Sequence, residues 1–448
     1  MKNILKSILI IFIMLLFVQN ATADMLEAKV EEQRLLGLED CLNIALEKNP
    51  LITSVKKNSE AYKTRISQAR AAYFPRLEFK MGLEESNSIA TRYMSFLNRN
   101  IKTYNLGEVR LTQQIYDFGK TRMNTNVQKA SYNYTLAEAD DTIDKVVYQV
   151  KEAYYYLLFT VHQLNVAKDM VEQYELQLNR AKAFYTIGTK PKLDVTIAQL
   201  NLKDAKLNLI KAENAVQVAT ASLNNTMGEP FINPYNLKDE LTFKDYDINF
   251  EKAYSIAKEH RPQLKMAEQK IKVANENVKF AKFSYMPTIE GTLMAGKGGS
   301  SWTYDSGWNA GMFLKLPVPN AAITVNQIKE ARALYDKEVA DAEKMRQDVY
   351  FEVQKSYFNL LEASKSIPVA QEGVTKAKEN YDLASGRYKV GFGDPIELKD
   401  AEVSYQNAQL DYYNSLHYYN KSLAEFERVI GASVDKVLNE KEPQKEDI

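Results

Sequence analysis

Apolar residues in this chain recur with a helical period over most of its 448 positions and switch to alternation in four short windows. In residues 76–84, Leu77, Phe79, Met81 and Leu83 alternate with Arg76, Glu78, Lys80, Gly82 and Glu84. In residues 308–316, Trp308, Ala310, Met312, Leu314 and Leu316 alternate with Asn309, Gly311, Phe313 and Lys315. Partner windows lie at 104–115, with Val109 and Leu111 on the apolar side, and at 288–296, with Ile289, Gly291, Leu293 and Ala295. Alternation over about ten residues predicts strands with one apolar and one mostly polar face. The four windows make two hairpins, joined by a long connection near 85–103 and a shorter one near 297–307.

The helical windows come twice in the same order. A short amphipathic helix (38–48; 250–260) meets a proline, a helix of about two dozen residues follows, and Pro75 or Pro287 ends it before the strands. A long helical pattern then runs from about 119 to 187, and again from about 321 to 390. Roughly 70 residues at 1.5 Å per residue span about 105 Å, which calls for a coiled-coil partner. Glycine breaks both patterns, at Ile187-Gly188-Thr189 and at Val390-Gly391-Phe392-Gly393, and a return helix of about 34 residues follows each. Asn49-Pro50 matches Arg261-Pro262, and Tyr185, Gly188 and Asp194 match Tyr388, Gly391 and Glu397. The chain therefore divides into a first repeat, 24–245, with its tip turn at 187–191, and a second, 246–432, with its tip turn at 390–394. A charged tail occupies 433–448.

Residues 1–23 read as a cleavable signal peptide. Lys2 and Lys6 precede an apolar run from Ile8 to Val18, and Ala21-Thr22-Ala23 fits the small-x-small cleavage rule. The run is too short to span a bilayer, which takes about 20 residues. Cys41 is the single cysteine, so no intramolecular disulfide forms, and its place in a helical pattern marks it as a half-buried helix residue. Basic and acidic residues number 58 each, without the basic patch that nucleic-acid binding needs. His162, His260 and His417 lie far apart, with no metal-ligand spacing and no catalytic arrangement around them. The run Gly291 to Lys297 resembles a phosphate loop only until Gly298 stands where serine or threonine is required. No cofactor is expected, and no enzymatic activity.

Four strands cannot close a membrane barrel, and an open strand edge in lipid is not viable. The hairpins therefore pair with other copies or stay outside membranes, and a closed homo-oligomer fits the first case. The order signal, helix, hairpin, long helix, glycine tip and return helix, all repeated, resembles the TolC-type outer-membrane factor (outer membrane efflux protein) family. Ala72-Tyr73-Phe74-Pro75, Tyr116-Asp117-Phe118-Gly119 and the tip segments Tyr185–Asp194 and Tyr388–Asp400 carry the resemblance. It implies a mainly helical protein with a transmembrane β-barrel portion: a homotrimer whose four strands per chain close a 12-stranded barrel in the outer membrane of a Gram-negative bacterium. A coiled-coil helical tunnel continues through the periplasm. It implies the exit duct of a tripartite efflux or type I secretion system, coupled by a periplasmic adaptor (membrane fusion) protein to an inner-membrane RND, ABC or MFS-type transporter. The competing reading is an exported coiled-coil protein with a structural or adhesive role and no channel.

The resemblance places a periplasmic constriction at Glu397, Asp400, Asp194 and Tyr388. Glu397 and Asp400 are three residues apart and share a helix face, so a threefold pore would crowd six carboxylates together and attract cations. The same residues also suit a plain helix start, with Asp394 as N-cap, Pro395 at the first helical position and Glu397 at the third. Asp400 has Ile197 at its place in the first repeat, and the position of a basic latch residue in the family is Gly393 here, with Lys190 available as a substitute. Adaptor-docking tips are expected at Ile187, Gly188, Thr189, Val390, Gly391 and Phe392, which equally suit ordinary helix ends. Trp302, Tyr304 and Trp308 are placed to be an interfacial aromatic anchor against outer-membrane lipid, or to pack within the loop. Amino-terminal sequencing of the exported protein should begin at Asp24, and retention of Lys2 and Lys6 would refute the cleavage site.

Overall fold

The computed structural model describes residues 34–86, 102–229, 235–246, 248–299, 305–317, 321–390 and 392–434. The expected signal peptide, Gly391, Trp302, Tyr304 and nearly all of the tail lie outside them. The described part is chiefly helical and divides into two compact units, one of 1–47, 150–242 and 370–417 and the other of 48–149, 243–369 and 418–448. Each unit draws on both sequence repeats, because the long helices carry both repeats through each unit.

The second unit holds a four-stranded antiparallel sheet of β2 (Arg76–Ser86), β3 (Lys102–Tyr116), β5 (Thr288–Gly299) and β6 (Asp305–Lys315), in the order β2-β3-β5-β6. Pairing of β3 with β5 joins the two hairpins into one sheet. The strands reach further toward the hairpin loops than the alternation indicates, since backbone pairing continues to Ser86 opposite Lys102. At the other end β6 stops at Lys315, and Leu316, expected within it, precedes Pro317, which has no N–H to donate.

Register puts the alternating apolar residues on one face. Phe79, Val109, Ala295 and Trp308 form one row across the sheet, and Leu77, Leu111, Leu293 and Ala310 the next. This face is bare: Leu77, Phe79, Met81, Leu83, Trp308, Met312 and Leu314 are 67–77% exposed. On the opposite face charges meet across strands, Glu78 opposite Arg110 and Lys80 opposite Glu108. Arg110 also pairs with Glu108 at 3.0 Å, and Lys315 pairs with Glu290.

Tyr116-Asp117-Phe118-Gly119 turns β3 into α3 (Lys120–Thr186). Asp117 accepts hydrogen bonds from the Gly119 and Thr121 N–H groups at 3.0 and 2.6 Å and from Gln114 Nε2 at 2.8 Å. Burial pushes its carboxyl up, but these donors outweigh burial and hold it below its ordinary value. The remaining helices of this unit are α2 (Pro50–Arg70), α5 (Phe250–His260), α6 (Pro262–Phe283), the first part of α7 (Ala321–Lys389) and the end of α8 (Pro395–Ile430). Pro50 and Pro262 open α2 and α6, where a missing N–H costs nothing. Asn49 caps α2 through a 2.8 Å bond from the Leu51 N–H. Its repeat equivalent Arg261 is 2% exposed and donates to the Val429 carbonyl at 3.1 Å, to Gln263 at 2.8 Å and to Glu352.

The first unit contains β1 (Arg34–Leu36), paired in parallel with β4 (Tyr235–Leu237), then α1 (Leu38–Lys48), the distal part of α3, α4 (Lys192–Met227) and the adjoining parts of α7 and α8. The Tyr154 hydroxyl donates to the Lys238 carbonyl at 2.7 Å and ties α3 to the segment after β4. Two histidines stack across α3 and α8, His162 on Tyr413 and His417 on Phe159, with centroids 4.2 and 5.4 Å apart. Cys41 is fully buried rather than half-buried, and burial pushes its thiol up to about 12. Such a thiol stays protonated and unreactive. Among the described residues no helix is long and apolar enough to cross a membrane.

Replacing Asp117 with alanine should lower stability by about 1–2 kcal/mol in detergent melts, the usual cost of a lost helix cap. Because its carboxyl is held low, that stabilisation is present above the ordinary aspartate range and disappears as pH falls through the lowered value. Asp117→Asn, which keeps an acceptor, should flatten this acid dependence; an unchanged pH profile would rule the cap out as its source.

Candidate functional site

Two helical tips in the first unit carry the sequence-derived site residues. Between α3 and α4 the chain reverses at Gly188, whose φ of 77° lies in the left-handed region that side chains disfavour. The Thr189 N–H and hydroxyl both donate to the Phe184 carbonyl at 3.0 Å, and the Gly188 N–H donates to the Tyr185 carbonyl at 3.0 Å. Helix-end carbonyls are thereby satisfied, and Ile187, Gly188 and Thr189 stand exposed at the turn.

Between α7 and α8 the Phe392 and Gly393 N–H groups both donate to the Arg387 carbonyl, at 3.1 and 3.0 Å. A Cβ on Gly393 would lie 2.6 Å from the Tyr388 nitrogen, so no side chain fits there. That close approach gives a physical reason why the expected basic residue is missing from this position. Val390 is 69% and Phe392 87% exposed.

Behind this turn Tyr388 is buried with Ala384, Leu398 and Ala401, and Tyr381 packs against the cluster. Lys190, from the other tip, places its ammonium 6.0 Å from the Tyr388 ring centroid, the outer limit of a cation–π contact. Burial pushes the Tyr388 phenol up, the Asp194 carboxylate adds to that, and Arg180 opposes it. The structure thus brings Tyr388, Asp194, Lys190 and Arg180 together across the two tips.

Glu397 and Asp400 are both exposed, one turn apart on α8. The helix start is capped by Asp394, which accepts from the Ile396 N–H at 2.9 Å. Glu397 instead accepts from Arg387 Nη1 at 2.8 Å across the turn. Arg387 is a site residue that periodicity could not find, since its role comes from the turn bringing positions ten apart together. Glu402 is another: it is 2% exposed, two residues beyond Asp400, and held by Gln177 of α3 at 2.9 Å. Only its place on a buried stripe of α8 was available as a signal. Of the expected aromatic anchor, Trp308 is described, 77% exposed in the apolar row of the sheet.

The sequence matches the outer membrane efflux protein family over residues 41–229 and 253–432, one segment in each repeat. It is 22% identical over 388 residues to the outer membrane protein TolC of Escherichia coli, covering 83% of this chain and 77% of that protein. Identity is also 22%, over 392 residues, to the probable efflux pump outer membrane protein TtgC of Pseudomonas putida, covering 83% and 78%. The fold superposes on the Campylobacter jejuni CmeC outer membrane channel with a TM-score of 0.76 at 15% identity, covering 90% of this chain and 88% of the other. For the open state of the Neisseria gonorrhoeae MtrE outer membrane channel the TM-score is 0.73 at 18% identity, with 89% of each chain covered. These are channel proteins rather than enzymes, and the chain belongs to the outer membrane efflux protein family, whose place is the outer membrane of Gram-negative bacteria.

Proposed function

We propose that three copies of this chain close into a trimeric duct that carries substrates from an inner-membrane pump to the cell exterior. The bare apolar sheet face with two open edges supports this reading most directly. In lipid every backbone N–H and C=O must be paired within the protein, so β2 and β6 need partners. The two edge strands run in opposite directions, so β6 of one copy can pair antiparallel with β2 of the next. Such a head-to-tail contact generates a ring. Three copies supply 12 strands with no edge left, the apolar rows facing lipid and the charged rows facing the lumen.

The long helices then form the periplasmic tunnel, and the tips of α3–α4 and α7–α8 form its inner mouth. Ile187, Gly188, Thr189, Val390, Gly391 and Phe392 dock a periplasmic adaptor, which couples the duct to an RND, ABC or MFS-type transporter in efflux or type I secretion. At the mouth Glu397 and Asp400 of three copies form the constriction, backed by Tyr388 and Asp194. Trp308, with Trp302 and Tyr304, anchors the barrel at the lipid interface.

In planar bilayers the purified protein should give cation-selective steps. Asp400→Ala should remove most of that selectivity and Glu397→Ala little, because Arg387 already neutralises Glu397. Steps indifferent to both substitutions would reduce the two acids to helix surface, and a well-folded sample that never inserts would move the chain to the structural or adhesive reading. Separately, Ile187→Glu with Phe392→Glu should weaken adaptor binding at least about tenfold, the scale of a lost hydrophobic anchor. Single-channel conductance should be unchanged in that variant; undiminished binding would remove the tips from the docking surface.

A further inference from the structure

Glu402 is the most deeply buried acid near the mouth, on the helix that carries Glu397 and Asp400. Its Oε2 accepts from Gln177 Nε2 of α3 at 2.9 Å, and the Tyr174 hydroxyl, one turn back on α3, bonds the same carboxyl. Its Oε1 is buried without a hydrogen-bond partner. On α7, Tyr381 closes the surroundings, with its hydroxyl 3.3 Å from Gln173 of α3 and its ring stacked on Tyr405 of α8. Charged groups lie one layer out: Asp204 of α4 beside Tyr174, and Asp382 of α7 and Arg180 of α3 acting on Tyr381 in opposite senses.

A carboxylate in this setting would hold part of its charge on an atom that nothing in the protein solvates, and such burial disfavours the ionised form strongly. A neutral acid carries its proton on Oε1 and keeps Oε2 for Gln177, and its burial costs far less than that of the charged form. Burial does push the Glu402 carboxyl up, and the bonds from Gln177 and Tyr174 pull against that without undoing it.

We propose that Glu402 is a proton-operated clasp: neutral, it seats α8 on α3, and ionised, it admits water, loosens that seat and displaces the helix bearing Glu397 and Asp400. The gating consequence rests on the duct reading, whereas the protonation state of Glu402 does not. Glu402 is a positioning residue, acting on the mouth through α8. Its carboxyl is raised in the folded state, so its stabilisation is complete below the ordinary glutamate value and is lost as pH rises through the raised one. The clasp therefore tightens in acid and loosens toward neutrality.

The test compares wild type with Glu402→Gln, which is neutral at every pH and keeps an acceptor for Gln177. Infrared difference spectra of the detergent-solubilised trimer should show a protonated-carboxyl band in wild type that persists above the pH at which an ordinary glutamate ionises. The glutamine variant should lack it. Gln177→Leu removes a bond that favours ionisation and should carry the band to higher pH. In bilayers the mean wild-type current should rise roughly fivefold or more between about pH 5 and pH 8, and the glutamine variant should stay low and flat. A wild-type carboxyl already ionised at the lower pH would overturn the clasp, as would pH–current profiles that coincide in the two proteins. If wild type forms no pores, the duct reading fails, and the infrared band alone then decides the state of Glu402.

Discussion

Everything in this chain follows from a sheet that cannot be stable by itself. Its apolar face is uncovered and its two outer strands lack partners. Water penalises the first condition and lipid the second, because a bilayer offers no hydrogen bonds to an open edge. The proposed duct meets both together, because the sheet enters lipid and its edges find other edges. An even number of antiparallel strands per chain makes the outer pair run in opposite directions, so identical copies can join without a mismatched seam.

Each repeat contributes one hairpin followed by a long helix, and β3–β5 pairing fuses the two hairpins. Equivalent positions have then taken different work. Asn49 caps its helix with a single side-chain oxygen, whereas Arg261, at the same place before a proline, bonds the last turn of α8 and reaches Glu352 on α7. A buried guanidinium is tolerable only with such a set of acceptors. It fixes the end of the second return helix.

The elements were legible because periodicity reports which face of a segment is apolar. The strand windows, the proline-opened helices and the glycine tips all express local rules of backbone and burial. The β3–β5 pairing was not legible, since it joins segments separated by about 170 residues through register alone. At the tips, Gly188 and Gly393 could be read as turn residues, but the contact of Gly393 with the Tyr388 backbone could not. Cys41 shows the limit on depth: a helical stripe says that a residue turns inward, not that nothing reaches it. Arg387 and Glu402 escaped for a related reason. A polar side chain carries no periodic signature of its partner, and both partners are supplied by tertiary contacts.

Pairing, rather than the number of acids, then decides the electrostatics of the proposed mouth. An exposed ion pair such as Arg387 with Glu397 adds little stability, yet it changes the field: seen from beyond about a Debye length of 8–10 Å, the pair is close to neutral. Asp194 lies close enough to Tyr388 for its carboxylate to push the phenol up, and Lys190 lies over the same ring. Asp400 stands exposed on the next turn, and among the described residues no ion pair reaches it. Of the three acids that the family resemblance brings forward, Asp400 thus stands as an unpaired charge among the described residues and Glu397 as half of a dipole, while Asp194 acts on the Tyr388 phenol. On the proposed clasp, Glu402, buried two residues beyond Asp400 and bonded to Gln177 of α3, governs where the helix that carries two of them lies.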